Sequence, residues 1–345
     1  MPPAELLERA AQCYGVTSKE LHPLHGGTAS HVYGFSRDSA DFVLRITPPD
    51  SDLDADAVRA ILTWVQALDA HGASVAGPIV SRAGRLVETM TSGEATYVVS
   101  AVRSASGVLA ERLAFGQWSD ALFEAWGQTA GRMHAIAQDD RAQDLALRRP
   151  EWDGVDNCFN APLPAALANT AIAQRHAEAR AFVRTLPKDP DGYGMIHGDF
   201  HAANFFVEPT NATITVFDFD DCCRGWYTMD IAMALFDMLV VYPNQDREAF
   251  AARFFTSFTR GYTRERALDP RWVAQLPCFL KLLEVNLYTM VYADHDPADS
   301  TSWIGKFMAG ERRERIERGI PYVELDFVGV LATLSQHILR SGKPS

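Results

Sequence analysis

The sequence predicts an α+β protein in two lobes: a small antiparallel-sheet lobe over residues 1–103 and a larger, mainly helical lobe over residues 104–345. Three observations carry this expectation. The first hundred residues alternate short apolar strands with amphipathic helical stretches. Beyond about residue 105, apolar positions recur at helical spacing instead. A length of 345 residues suits roughly two lobes of ordinary size.

The elements follow in order. Leu6, Leu7, Ala10 and Tyr14 share one face of a short opening helix. "HVYGFSRDSADFVLRITPP" gives two strands around a polar RDSAD turn, closed by Pro48 and Pro49. From Ser51 the pattern is helical: an acidic first turn, then Val58, Ile61, Leu62, Val65 and Leu68 on one face, and Gly72 as a stop. "GPIVSRAGRLVET" and "ATYVVSAV" complete the sheet, with a turn at Ala83-Gly84. In the second lobe, Leu122, Trp126, Met133 and Ile136 or Ala137 mark one helix face. Helical periodicity continues over 163–186, 228–242, 247–263, 271–293 and 325–340. Residues 193–221 break it with short β-rich pieces.

Composition narrows the functional classes. Hydrophobic residues make up 47% and charged residues 22%, the balance of a globular chain. A net charge of -12 argues against nucleic acid as the main partner, because a phosphate backbone calls for a basic face. The acidic start "MPPAELLERAAQCYG" lacks the features of a secretory signal. Asp237, Lys281 and Glu284 interrupt the later apolar runs, so no segment reaches the ~20 residues of a membrane span. Five cysteines match no paired zinc spacing, and a reduced, cytoplasmic protein is expected.

The chemistry concentrates in "IHGDFHAANFFV", residues 196–207, where His197, Asp199, His201 and Asn204 crowd a loop between short strands. A further strand delivers "DFDD" at 218–221. One loop and one hairpin bring Asp199, Asn204 and Asp218 to the same point. A carboxylate base with one amide and one carboxylate oxygen suits Mg²⁺, which binds through few protein oxygens and substrate phosphates. Phosphoryl transfer calls for that set. His197 would then hold the loop by a hydrogen bond, and His201 has no assigned chemistry.

"HGDFHAANFF" and "VFDFDDCCRGWYTMDIA" resemble the catalytic loop and metal segment of the aminoglycoside phosphotransferase and choline kinase superfamily. The likeness extends through "GGTASHVYGF", "FVLRIT" and "WGQTAGRMHAI" and covers most of residues 20–240. It implies a two-lobed protein-kinase-like fold with ATP between the lobes. It also implies Asp199 as general base, Asn204 and Asp218 as Mg²⁺ ligands, and Asp230 as a brace for the loop. Gly26 and Gly27, with Ser30 beside them, either let the backbone approach the phosphates or form a plain turn. Arg45 stands where protein kinases carry the strand lysine. It either clamps phosphates with its fork or points outward. The resemblance pairs that residue with a helix glutamate, but this chain has Ile61 at the corresponding place. Asp54 or Asp56 is the candidate substitute.

The expected acceptor is a hydroxyl of a small molecule: an amino alcohol, an aminoglycoside or a homoserine-like compound. A Ser/Thr protein acceptor is the alternative. Asp220 and Asp221 either bind a substrate ammonium or pair with Arg224 and nearby bases. Glu284, Asn286, Tyr288, Tyr292, Asp294 and the Trp303 region are candidates for the acceptor pocket. "GERRERIERG" reads as an exposed helix face with no site role. Two rival readings stand: a metal-dependent hydrolase using His197, Asp199 and His201, and a non-catalytic kinase-shaped binding module.

Overall fold

The computed structural model describes residues 1–345 except 25–29, 140–148, 155–158, 160–161, 243–245, 297, 300 and 342–345; side chains are described as far as residue 336. Helix α1 (Ala4–Cys13) covers one edge of the first sheet through Leu6, Ala10 and Ala11. That sheet contains β1 (His22–Pro23), β2 (His31–Arg37), β3 (Ala40–Thr47), β4 (Pro78–Ile79), β5 (Glu88–Ser92) and β6 (Ala95–Arg103). Its central order is β1-β2-β3-β6-β4, all antiparallel, with β5 also on β6. The β2–β3 turn falls at Asp38 and Ser39, with φ of 53° and 63°. Two left-handed residues match the strand twist of a tight hairpin.

Helix α2 (Ala55–Ala70) starts where Asp54 accepts the amides of Asp56 and Ala57. It is apolar on two sides, and each side serves a different core. Val58 and Leu62 meet Val87 and Val98 beneath the sheet. Ile61, Trp64, Val65 and Leu68 join the main core of the helical lobe. The rest of the sheet closes its own core around Tyr14, Phe35, Leu44 and Val99.

The helical part is built from α3 (Asp120–Ile136), α4 (Ala171–Arg184), α5 (Tyr227–Val241), α6 (Arg247–Tyr262), α7 (Pro270–Val273), α8 (Leu276–Val291), α9 (Trp303–Met308), α10 (Arg312–Glu317) and α11 (Phe327–Ser341). The stretch expected as one helix over 271–293 is two. The first ends after Val273, and Pro277, which has no amide hydrogen to give, sits in the opening turn of the second. Helices α3 and α6 approach closely because Gly127, Gly131 and Gly261 carry no side chain there. A Cβ on Gly127 would meet the Phe258 carbonyl oxygen at 1.9 Å, and one on Gly261 the Glu124 carbonyl oxygen at 1.8 Å.

Two short ladders interrupt the helices. Strands β8 (Tyr193–Ile196) and β11 (Cys223–Trp226) pair antiparallel. Strands β9 (Phe205–Glu208) and β10 (Thr213–Val216) form a hairpin, with β7 (Val108–Leu109) on the outer side of β9. Residues 74–76, just past α2, bind β10 through Ala76 N–H to the Val216 carbonyl (2.8 Å) and Val216 N–H to the Ser74 carbonyl (3.0 Å).

Candidate active site

The two ladders frame the site. Ile196 faces Cys223 at the end of one, and Phe205 faces Val216 at the end of the other. The connections between them, 197–204 and 217–222, therefore run alongside each other. Phe217 N–H reaches the Asn204 carbonyl at 3.0 Å, which sets Asn204 and Asp218 at the same end of the β9–β10 hairpin. Phe200, Ala202 and Phe205 turn into the core, where Trp126 stacks near both phenylalanines. The polar residues between them, His201 and Asn204, turn to Asp199.

A buried carboxylate fixes the start of the loop. Asp230 accepts the amides of His197 (2.9 Å) and Gly198 (3.0 Å), and His134 Nε2 at 3.0 Å. His134 Nδ1 lies 3.1 Å from the Tyr262 hydroxyl. Burial lowers the His134 pKa more than Asp230 raises it, so the ring is neutral. Gly198 has φ of 83°, and a Cβ on it would meet the Asp221 carbonyl oxygen at 2.3 Å. Glycine is required here twice over, for conformation and for space.

His197 is buried, and both of its ring nitrogens are engaged. Nδ1 accepts the Asp199 amide (3.3 Å), so Nε2 carries the proton and donates to the Phe217 carbonyl (3.1 Å). The ring also lies 4.5 Å from that of Phe219. It ties the loop to the 217–222 connection and has no lone pair left for a metal, which counts against the hydrolase reading.

Asp199 is held from two sides. Asn204 Nδ2 donates to its carbonyl (2.8 Å) and its carboxylate (2.9 Å), and His201 Nε2 lies 3.1 Å from the same carboxylate. Burial raises the Asp199 carboxyl. The hydrogen bond and charge of His201, with His197 and Asn204, more than offset that and hold it below the ordinary range. Burial opposes charge on His201 too, but Asp199, Asp237 and Asp218 push it up to about 9. The Ala203 amide donates to His201 Nδ1 (3.2 Å), which puts the proton of the neutral ring on Nε2, facing Asp199. Asp237 accepts the Ala202 amide at 3.0 Å from α5.

The donor set fits a divalent cation. With both Asn204 amide hydrogens directed at Asp199, its Oδ1 is left as an acceptor. Among the described residues, neither that oxygen nor the Asp218 carboxylate takes a hydrogen bond. Asp218 has φ of 62°, uncommon outside glycine and typical of functional turns. Burial and the neighbouring Asp220 raise its carboxyl pKa, and burial with Asp199 pushes Asp221 up to about 6. Such shifts follow from carboxyl groups crowded together away from water.

Arg45 turns toward this cluster rather than outward. Its guanidinium binds the Asp220 carboxylate through both terminal nitrogens, one bond at 3.0 Å. Neither expected partner from α2 reaches it: Asp54 caps its helix and Asp56 pairs with Arg59. Nor does Asp220 pair with Arg224, which meets Glu151 instead. Ser30 is buried, with its hydroxyl on Thr47 Oγ1 at 2.8 Å. Gly26 and Gly27 lie outside the described residues.

Two expectations about the acceptor side are corrected. Glu284 is buried with its carboxylate consumed by Lys281 (2.8 Å) and Arg312 (2.9 Å). Arg312, the first arginine in the expected surface run, is 7% exposed and lies over the Phe307 and Tyr322 rings. Of the other candidates, Asn286 meets His176 (3.3 Å), Tyr288 is buried and Trp303 is half exposed. Asp237 and Arg149 were not anticipated as parts of the site, and His201 was placed in its loop without a role. Arg149 donates to the carbonyls of Cys222 (2.8 Å) and Asp220 (3.0 Å). His201 and Asp237 had visible signals: a second histidine in one loop, and a lone carboxylate in an apolar helix. Arg149 had none, lying some seventy positions away.

Comparison with known proteins identifies the family of the chain. Residues 20–268 match the phosphotransferase enzyme family. Amicoumacin kinase of Bacillus subtilis (strain 168) is 29% identical over 327 residues, covering 94% of each chain. The structure of amicoumacin kinase hAmiN in complex with AMP-PNP, Ca²⁺ and Ami superposes with a TM-score of 0.83 at 26% identity, over 96% of this chain and 97% of that one. The microcompartment-associated aminopropanol kinase shares the fold, with a TM-score of 0.60 at 20% identity over 98% of both chains. The chain belongs to the phosphotransferase enzyme family and is a kinase that acts on a hydroxyl group.

Proposed function

We propose that the protein transfers the γ-phosphate of ATP to a hydroxyl of a small molecule bearing an amino group, with Asp199 as general base. The convergence of Asp199, Asn204 Oδ1 and Asp218 at the ends of two ladders is the observation that carries this reading. Asp199 accepts the proton of the attacking hydroxyl. His201 and Asn204 keep its carboxylate ionised and aimed. Asn204 and Asp218 would hold Mg²⁺, which supplies charge neutralisation on the transferring phosphate. Arg45 and the glycine-bearing segment at 26–27 would receive the nucleotide, with residues 1–103 as its lobe and 104–345 as the catalytic and acceptor lobe. Ser30, fixed on Thr47, anchors the end of that segment.

A small-molecule acceptor is favoured over a protein because the 29%-identical relative is a kinase named for a small molecule, amicoumacin, and an amino group on that acceptor suits the carboxylates of Asp199 and Asp221. A reducing compartment, the cytoplasm, suits the free thiols of Cys13, Cys222, Cys223 and Cys278. No helix among the described residues is long and apolar enough to cross a membrane.

The test is ADP release from Mg·ATP across amino alcohols, aminoglycosides, amicoumacin-like compounds, homoserine and a generic Ser/Thr protein. Release that depends on an amino-bearing alcohol and vanishes in Asp199→Ala supports the reading. Release driven only by the protein would transfer it to the protein-kinase alternative. Mg·ATP binding without transfer to any acceptor would favour the binding module.

A further inference from the structure

The Arg45–Asp220 pair joins residues 175 positions apart, one on a strand of the sheet lobe and the other two residues past Asp218. Both side chains are about four-fifths covered, at 20% and 18% exposure, so the pair is screened less than a surface ion pair. Each partner is set by its own scaffold. Phe42, Leu44 and Ile46 alternate into the sheet core, which sends Arg45 to the opposite face. Arg149 grips the backbone on both sides of Asp221, through the carbonyls of Asp220 and Cys222, and so fixes the Asp220 carboxylate beneath the strand.

Helix α2 offers no competing anion. Its inward positions are Val58, Ile61, Leu62, Trp64, Val65 and Leu68. Its three acids are engaged elsewhere: Asp54 in its cap, Asp56 with Arg59, and Asp69 with Arg103.

We propose that Asp220 is a positioning residue for the nucleotide site: its carboxylate holds the Arg45 fork against the metal segment, so the phosphate grip and the metal site set one another's place across the cleft. The inference rests on the nucleotide-binding reading above. Its consequence is a division of labour in which Asp218 faces the cation, Asp220 faces the arginine, and α2 has no electrostatic part in assembling the site. Removing the Asp220 charge frees Arg45 to swing and separates the two sites. Removing Arg45 makes Asp220 irrelevant to the nucleotide.

The experiment is calorimetric binding of Mg·ATP to the full chain and to Asp220→Asn, Arg45→Ala and the Arg45→Ala/Asp220→Ala double variant, each with its thermal melting curve. Asp220→Asn is expected to weaken Mg·ATP about tenfold, and the double variant to bind no more weakly than Arg45→Ala alone. If Asp220→Asn melts early, the double variant against Arg45→Ala still decides, because it removes both charges and leaves none unpaired. Unchanged affinity in Asp220→Asn, or a double variant weaker by the product of the two single effects, overturns the inference alone. A wild-type chain that binds no Mg·ATP overturns the nucleotide reading and takes this inference with it.

Discussion

Replacing Asp230 with asparagine tests whether one buried carboxylate sets the catalytic loop. Its two oxygens receive three donors, His197 N, Gly198 N and His134 Nε2, and the side chain is 1% exposed. An asparagine keeps one acceptor oxygen. Placing that oxygen before His197 and His134 turns the new NH₂ group toward the Gly198 amide. One buried backbone donor then loses its partner, at about 1–3 kcal/mol, and the two remaining bonds lose the strength that charge gave them. A total of about 2–4 kcal/mol follows, a large part of the roughly 5–15 kcal/mol that holds an ordinary domain. The displaced amide precedes Asp199, and a shift near 1 Å at the reacting group costs on the order of 10²-fold in rate. Urea unfolding at constant slope measures the first quantity, and phosphate transfer by the folded variant measures the second. Asp230→Asn that unfolds within about 0.5 kcal/mol of wild type and keeps its turnover would refute the reasoning.

Further predictions follow from the same geometry. Asp199→Ala should lower kcat by about 10²–10⁴-fold while Mg·ATP affinity stays near wild type, whereas Asp218→Ala should lose Mg·ATP affinity, both read by calorimetry beside turnover. Gly198→Ala should cost about 2 kcal/mol or more in chemical denaturation, from the left-handed backbone alone before the contact with the Asp221 carbonyl is counted. Asp221 has a folded pKa raised to about 6 from 3.8, so the native state holds its proton more tightly and stability falls as pH rises through that window. Asp221→Asn should therefore melt higher than wild type at pH 7.5 without metal, and the gain should vanish near pH 3.5; an equal gain at both pH values would contradict the shift.

The local parts of this structure were legible in the sequence. The RDSAD turn, the acidic start of α2 and the Gly72 stop lie within a few residues of the elements they bound, and each carries its own chemistry. The crowding of the 197–204 loop was legible for the same reason: His201 and Asn204 lie between Phe200 and Phe205, whose burial fixes the course of the loop. What sequence could not show were pairings made across the fold. Arg45 finds Asp220 rather than an acid of the nearby helix, and Arg312 is drawn from a charge-rich surface pattern into a buried contact with Glu284. Charge spacing along a helix describes its neighbours in the chain, and neither partner is one of those.

The two-sided burial of α2 bears on how the cleft can move. Ile61, Trp64, Val65 and Leu68 are cemented into the helical core, and residues 74–76 are stitched to β10. The helix is thus held to the helical core, although the chain enters and leaves it from strands of the sheet. Any displacement of the sheet against that core would have to be taken up at the seam of Val58, Leu62, Val87 and Val98. In this molecule the border between the two packing cores lies along one face of a helix and does not follow the order of the chain.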